Sequence, residues 1–173
     1  MSRTRVFVDT NVILEAVRTN CWKPLCSRYA VETVDKCVEE ARTGDPYDTS
    51  RIQVPDTLLV PALLTSHAVE RAQIAALVLT YPVCTGLDAG EQHLLAHLHT
   101  RERLQGVQVL LSTADRAAVT SASAIGWIDS LVALEAMAQQ SGVGRKQIDQ
   151  LKRHYRNQWL EHARLNSRLA GAI

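Results

Sequence analysis

Two short apolar runs predict strands that are buried on both faces. Residues 6–8 read Val-Phe-Val, and residues 107–112 read Val-Gln-Val-Leu-Leu-Ser. β-branched and aromatic residues without proline are typical of such strands. Polar residues follow both runs, with Asp9 after the first and Thr113 and Asp115 after the second. A further strand is predicted at residues 29–34.

Apolar residues at helical spacing predict helices between and after these strands. Ser66 is predicted to cap one of them. The predicted helices lie at residues 12–19, 36–42, 56–60, 66–80, 88–98, 116–124 and 131–140, and one long helix follows residue 144, with Ile148, Leu151, Tyr155 and Trp159 on one face. The remaining predictions are irregular chain at 21–28, a loop at 44–50, a break at Pro61, a turn or short extended piece at 81–86, and a short strand at 126–129. Strands that alternate with helices favour a parallel sheet with helices on both faces.

Length and composition indicate an ordinary globular protein. A chain of 173 residues fits one domain with a sizeable core. No apolar run is long enough to cross a membrane, and the first strand starts too early for a signal peptide. The four cysteines form no CxxC pair, so neither a zinc knuckle nor a disulfide framework is expected. A reducing, cytoplasmic setting is the default expectation.

Charge is unevenly distributed along the chain. Residues 145–173 carry seven Lys or Arg against two acids, a net charge of +5, whereas residues 1–144 carry 12 basic and 16 acidic residues, a net charge of −4. We therefore expect a body at 1–142 and a basic helical extension at 143–173 that packs on the same domain. A basic extension beside an acidic body is typical of a protein that binds a polyanion, and a solvated helix with surplus arginine is the alternative.

Four acidic residues follow predicted strands or turns. Asp9 and Asp115 come after the two apolar strands, Glu39 lies on a helix that follows a strand, and Glu91 opens a helix after a glycine turn. Asp9 considered alone is most simply a helix cap. Because parallel strands end at one edge of a sheet, all four carboxylates are expected in one pocket. Their mutual repulsion would be relieved by a divalent cation, for which oxygen ligands favour Mg²⁺ or Mn²⁺.

The sequence resembles the PIN-domain ribonucleases. The matching segments are residues 6–12, the helix around Glu39, and residues 90–96 and 111–116. The resemblance implies a three-layer α/β/α sandwich with a central parallel sheet, here with an extra C-terminal helix. It implies catalytic roles for Asp9, Glu39, Glu91 and Asp115, of which Asp9, Glu91 and Asp115 bind the metal. Asn11 and Thr113 would support the site, and Glu40 and Asp88 remain alternatives to Glu39 and Glu91.

The function that this resemblance implies is endoribonuclease activity through a carboxylate-bound Mg²⁺ or Mn²⁺ ion, on single-stranded or structured RNA. Such a cation activates water and stabilises the charge of phosphodiester displacement. A toxin role in a toxin–antitoxin pair stays open, and with it an antitoxin protein or a second copy of the chain as partner. The basic residues expected to contact RNA are Arg116, Lys152, Arg153 and Arg156.

Three other interpretations are weaker. A catalytically inactive PIN-like module that binds RNA or protein would have no need of all four acids. A phosphatase of the haloacid-dehalogenase type needs an aspartate where this chain has Asn11. A zinc site at His93 and His97 lacks the glutamate of the H-E-x-x-H motif.

Overall fold

A four-stranded, all-parallel sheet forms the centre of the protein. The computed structural model describes residues 3–43, 54–59, 65–100 and 109–170. The strands are β1 (Arg5–Val8), β2 (Ala30–Val34), β3 (Thr65–His67) and β4 (Val109–Ser112), in the spatial order β3-β2-β1-β4. The α/β class with a central parallel sheet, predicted from the alternation of strands and helices, is thereby confirmed.

Ten α-helices lie in the described ranges. They are α1 (Thr10–Arg18), α2 (Trp22–Arg28), α3 (Asp35–Thr43), α4 (Asp56–Leu59), α5 (Arg71–Thr80), α6 (Ala89–Thr100), α7 (Arg116–Ala124), α8 (Leu134–Gln140), α9 (Arg145–Ile148) and α10 (Asn157–Ala170). Short 3₁₀ turns occupy Pro82–Gly86, Ile128–Ser130 and Arg153–Tyr155. None of these helices is long and apolar enough to span a membrane.

The two faces of the sheet bury two separate hydrophobic cores. Along β1, Val6 and Val8 contribute to the first core, whereas Phe7 contributes to the second. This alternation follows from the two-residue period of a strand. Residues from α1, α2 and α8 fill the first core, and residues from α6, α7 and α10 fill the second. Helices on both faces are compatible with a three-layer α/β/α sandwich.

The segment at 21–28, predicted to be irregular, is the helix α2. Pro24 suggested a break, but it lies in the first turn of that helix. Amide groups there have no carbonyl partner within the helix, so a proline is tolerated. The buried side chains of Trp22 and Leu25 anchor α2 on the first core.

Residues near Ser66 differ from the prediction because a distant strand pairs with them. Ser66 does not cap a helix but lies in β3, where it is paired with Thr33 of β2. Helix α5 begins at Arg71 instead, and the Gln73 side chain accepts a hydrogen bond of 2.9 Å from the Glu70 amide. The predicted loop at 44–50 and the break at Pro61 lie outside the described residues.

The strand predicted at 126–129 is also wrong. Gly126 has a φ of 83°, which interrupts an extended path, and a 3₁₀ turn follows at Ile128–Ser130. Helix α8 starts later than predicted, at Leu134, because Leu131 forms a parallel bridge with Leu111 of β4.

The C-terminal region is not one continuous helix. The Lys152 amide donates a hydrogen bond of 2.8 Å to the buried Glu15 carboxylate rather than to a helical carbonyl. Residues before this point, including Ile148 and Leu151, fill the first core, whereas Leu160 fills the second. One straight helix could not reach both cores, so the chain changes direction between α9 and α10.

Candidate functional site

The order of the strands creates a crevice between the ends of β1 and β4. The chain runs outward from β1 to β2 and β3, then returns to place β4 on the other side of β1. After β1 it enters α1 in the first core, and after β4 it enters α7 in the second. Ligands bind at such topological switch points in open α/β sheets. Asp9 lies directly at this point, with its amide 3.3 Å from the carbonyl of Ser112.

Asp9 is a helix cap with one oxygen left over. Its Oδ1 accepts a hydrogen bond of 2.7 Å from the Val12 amide at the start of α1. Its Oδ2 is buried and has no hydrogen-bond partner among the described residues. Burial raises the pKa of Asp9 to about 6, and Asp88 and Asp115 add to the rise, although the nearby Thr113 hydroxyl and the Val12 amide oppose it.

Asp115 occupies the matching position after β4. Its Oδ1 accepts hydrogen bonds from the amides of Ala117 and Ala118, at 2.7 and 3.0 Å, and so caps α7. The buried Thr113 hydroxyl accepts a hydrogen bond of 3.3 Å from the Asp115 amide. The turn after β4 therefore holds Asp115 at the same sheet edge as Asp9.

The start of α6 adds two more acids to this edge. Asp88 is exposed, and its Oδ1 accepts a hydrogen bond of 2.8 Å from the Glu91 amide. Glu91 is only 6% exposed, and the Asp88 backbone amide donates to its carboxylate. Burial raises the pKa of Glu91 to about 9, with further contributions from the charges of Asp88, Asp9 and Asp115. The structure thus brings together four acids, which we call the carboxylate group: Asp9, Asp88, Glu91 and Asp115.

Capping and ligand binding are compatible in this group. Asp9, Asp88 and Asp115 each cap a helix through Oδ1. None of their Oδ2 atoms is needed for that role. The simple interpretation of Asp9 as a cap is therefore correct, but it accounts for only half of the carboxylate.

The structure separates Glu39 from Glu40. Glu39 has a side chain that is 60% exposed and pairs with Lys36 at 2.9 Å, outside the carboxylate group. Glu40 accepts a hydrogen bond of 2.6 Å from the Thr10 hydroxyl. A Cβ atom placed on Gly90 would lie 2.4 Å from Glu40 Oε2, so the glycine leaves space for this carboxylate. Glu40, not Glu39, therefore lies between the starts of α1 and α6.

Sequence reasoning missed Tyr155 as a neighbour of the site. Its hydroxyl donates a hydrogen bond of 3.2 Å to the backbone carbonyl oxygen of Asn11, one of the residues predicted to support the site. Burial, and then the charge of Asp9, raise the pKa of Tyr155. The apolar pattern of the C-terminal region predicts only that Tyr155 packs against the body. It does not predict the hydroxyl contact, because the partner is far away in the sequence.

Three of the four basic residues predicted to bind RNA line one cleft. Arg116, Arg153 and Arg156 surround it together with polar residues and Trp159, and its volume is about 140 Å³. Lys152 is exposed but does not line this cleft. His97, considered above with His93 as a weak zinc candidate, is a core residue that is buried against the rings of Phe7 and His67.

The donors in the carboxylate group suit a hard cation. Carboxylate oxygens are the ligands that Mg²⁺ and Mn²⁺ prefer. Burial raises the pKa values of Asp9 and Glu91, and a cation would relieve the repulsion between acids that adds to the rise. Within the described ranges, no three His, Cys, Asp or Glu side chains form a ready-made set of metal ligands. The argument for a cation at the carboxylate group therefore depends on the chemistry of its oxygen donors and on the unpartnered Oδ2 of Asp9.

Comparison with family models, with curated proteins and with solved structures finds no match for this chain.

Proposed function

We propose that the protein is a metal-dependent endoribonuclease of the PIN type. In this proposal Asp9, Glu91 and Asp115 hold a Mg²⁺ or Mn²⁺ ion, and Asp88 adds negative charge at the rim. Glu40 takes the place that the resemblance had assigned to Glu39. A toxin role, an antitoxin partner and a homodimer remain predictions from the resemblance.

The observation that carries the proposal is the buried, unpartnered Oδ2 of Asp9. Leaving a buried polar atom without a partner costs about 1–3 kcal/mol. A residue that only capped α1 would not need to bury that second oxygen beside other acids. A cation bound at this point would satisfy Oδ2 and neutralise the repulsion with Glu91.

The residues of the chain divide the chemistry between them. When bound, the cation supplies a Lewis acid that lowers the pKa of water and neutralises charge on a phosphodiester. Asp9, Glu91 and Asp115 would hold it, and Thr113 holds the turn that carries Asp115. Arg116, which directly follows Asp115, bears a positive charge that would attract the RNA backbone.

Replacement of Asp9 by Asn tests this proposal. Asn keeps the shape and the ability to cap α1, but it removes the charge that a cation needs. We expect cleavage of a labelled single-stranded RNA in Mg²⁺ or Mn²⁺ to fall by roughly 100-fold or more, with the fold retained by circular dichroism. Wild-type cleavage should also stop in EDTA.

Asp129→Asn provides the matched control. Asp129 is exposed and pairs with Arg168 on the surface, so the same chemical change there should leave cleavage unaltered. If the Asp9 variant cleaved as fast as the Asp129 variant, the proposed metal role of Asp9 would be wrong.

A further inference from the structure

We infer that the cleft between the start of α7 and α10, which we call the basic cleft, anchors a single-stranded nucleic acid by binding phosphate and stacking one base on Trp159. Its lining residues are Arg116, Arg153, Arg156, Gln158, Trp159 and His162, with Asn166 at its end. The inference rests on the proposed function for the identity of the strand as RNA.

Two cations in the basic cleft are available to a ligand. Arg116 and Arg153 are exposed, and their guanidinium groups make no ion pair or hydrogen bond with the described residues. The other arginine of the cleft is committed to the fold, because Arg156 donates to the carbonyls of Leu151 and Asp149 at 3.1 and 2.9 Å. Arg116 and Arg153 are therefore the phosphate-binding candidates, and Arg156 supports the wall of the cleft.

Trp159 supplies a fixed aromatic surface in the same cleft. It is half-buried and packs against the second core, whereas Trp22 and Trp127 are buried. Bases stack on such a side chain whatever their identity, and a positively charged groove beside it is the usual arrangement for single strands. A duplex does not expose its base faces in this way.

The size of the basic cleft favours a segment of a polymer over a free small molecule. Its volume of about 140 Å³ is below the roughly 300–1,000 Å³ of small-molecule sites. Gln158, His162 and Asn166 lie on one face of α10 at helical spacing and offer polar groups to a ribose or a base edge. One base would fit, while its ribose, its phosphate and the neighbouring nucleotides continued along the surface.

The basic cleft borders the carboxylate group. Arg116 directly follows Asp115, and Asp115 also acts electrostatically on His154, which adjoins Arg153. A strand anchored in the cleft would therefore run past the proposed metal site. This placement assigns substrate positioning to the C-terminal region.

Binding measured without metal tests the inference separately from cleavage. In EDTA, fluorescence anisotropy would compare a labelled 12-nucleotide RNA as a single strand and as a duplex. We expect the single strand to bind more tightly and to quench tryptophan fluorescence. Arg116→Gln with Arg153→Gln should weaken binding about 10-fold and reduce the slope of log affinity against log salt by about 1–2.

The tryptophan variants separate stacking from packing. Trp159→Leu keeps an apolar side chain against the second core but removes the aromatic face, so it should weaken binding and abolish the quenching. Trp159→Phe keeps a ring and should restore most of the affinity. Thermal melting of each variant would show whether it remains folded, and the Phe variant keeps the test valid if the Leu variant does not.

Arg145→Gln with Lys146→Gln is the charge-matched control, since both residues are exposed and lie outside the basic cleft. Equal weakening by this control would overturn the inference in favour of diffuse attraction, as would equal affinity for the duplex. The wild-type protein could bind RNA through the basic cleft and yet never cleave it. That result would contradict the nuclease proposal but support the inference about the basic cleft.

Discussion

A carboxylate has two oxygens, and Asp9 shows how one residue can use them differently. Oδ1 fixes the start of α1, and Oδ2 stays buried without a partner. The pKa of Glu91 rises further, to about 9 through burial and then through neighbouring acids, compared with about 6 for Asp9. In the metal-free protein, ionisation of these two side chains therefore opposes folding.

Replacement of Glu91 by Gln should stabilise the metal-free protein at high pH. A raised pKa means that the folded state binds the proton more tightly, so the contribution to stability is complete below the unfolded value of 4.5 and is lost as the pH rises through about 9. Gln keeps the shape without this loss. We expect an increase of roughly 1–3 kcal/mol in the free energy of unfolding at pH 8, since one pKa unit is about 1.4 kcal/mol.

Urea unfolding in EDTA at pH 5, 7 and 8 would measure this effect, with the exposed Glu161→Gln as control. The wild type should lose stability across this range more steeply than the Glu91 variant. A Glu91→Gln protein less stable than the wild type at pH 8 would show that the ionised carboxylate stabilises the fold instead.

At the scale of elements, the C-terminal region is attached to the body through α1. Glu15 is buried and forms an ion pair with Arg18 at 2.7 Å. It also accepts a hydrogen bond of 2.8 Å from the Lys152 amide. Burial alone would raise the pKa of Glu15, but the hydrogen bonds from Arg18 and Lys152 lower it overall. This contact sets where the basic region leaves the first core, and so where Arg153 lies.

Replacement of Glu15 by Ala should loosen the C-terminal region. It leaves the Lys152 amide without its acceptor and the Arg18 guanidinium with only the carbonyl of Gln150 among the described residues. Losing one partner of a buried pair costs about 3–5 kcal/mol. Because Arg18 is a third exposed, we expect a smaller loss, about 2 kcal/mol, with faster hydrogen exchange at residues 149–156. Glu39→Ala removes an exposed pair and should cost less than about 0.5 kcal/mol. Equal effects of the two variants would show that Glu15 does not hold this region.

At the scale of the molecule, an acidic crevice and a basic cleft adjoin across the start of α7. The acidic crevice would attract a cation, and the basic cleft would attract a polyanion. The two surfaces of opposite charge therefore lie next to each other. Many cations of the C-terminal region are already paired, including Arg164 with Glu161 and Arg168 with Asp129. Its net charge therefore overstates what is available to RNA, and Arg116 and Arg153 carry most of the effect.

Mg²⁺ should stabilise the whole molecule, and more so at pH 8 than at pH 6. Its carboxylate ligands must lose their protons before they bind the ion. Because the pKa values of Asp9 and Glu91 are raised, these side chains are less protonated at pH 8 than at pH 6. A ligand at 100 times its dissociation constant adds about 2.7 kcal/mol, which thermal melting would detect. Asp9→Asn should abolish the increase, whereas Asp129→Asn should keep it. An equal increase in the Asp9 variant would indicate nonspecific ion binding.

Local sequence patterns were enough to predict the centre of the fold and much of the carboxylate group. The apolar runs at 6–8 and 107–112 predicted β1 and β4, and helix α7 begins and ends where its pattern predicted. These elements are local in origin, because β-branched runs and capping residues act over a few positions. The parallel arrangement then places Asp9 and Asp115 at one edge.

Other features depend on contacts between residues that are far apart in the sequence. β3 is short and polar and exists by pairing with β2, where His67 also contacts the buried Glu32 at 2.7 Å. The contact with Thr10 and the space at Gly90 select Glu40 over Glu39. Glu15 redirects the C-terminal chain at Lys152. Each outcome depends on the free energy of a contact between residues far apart in sequence, which local hydrophobic periodicity does not contain.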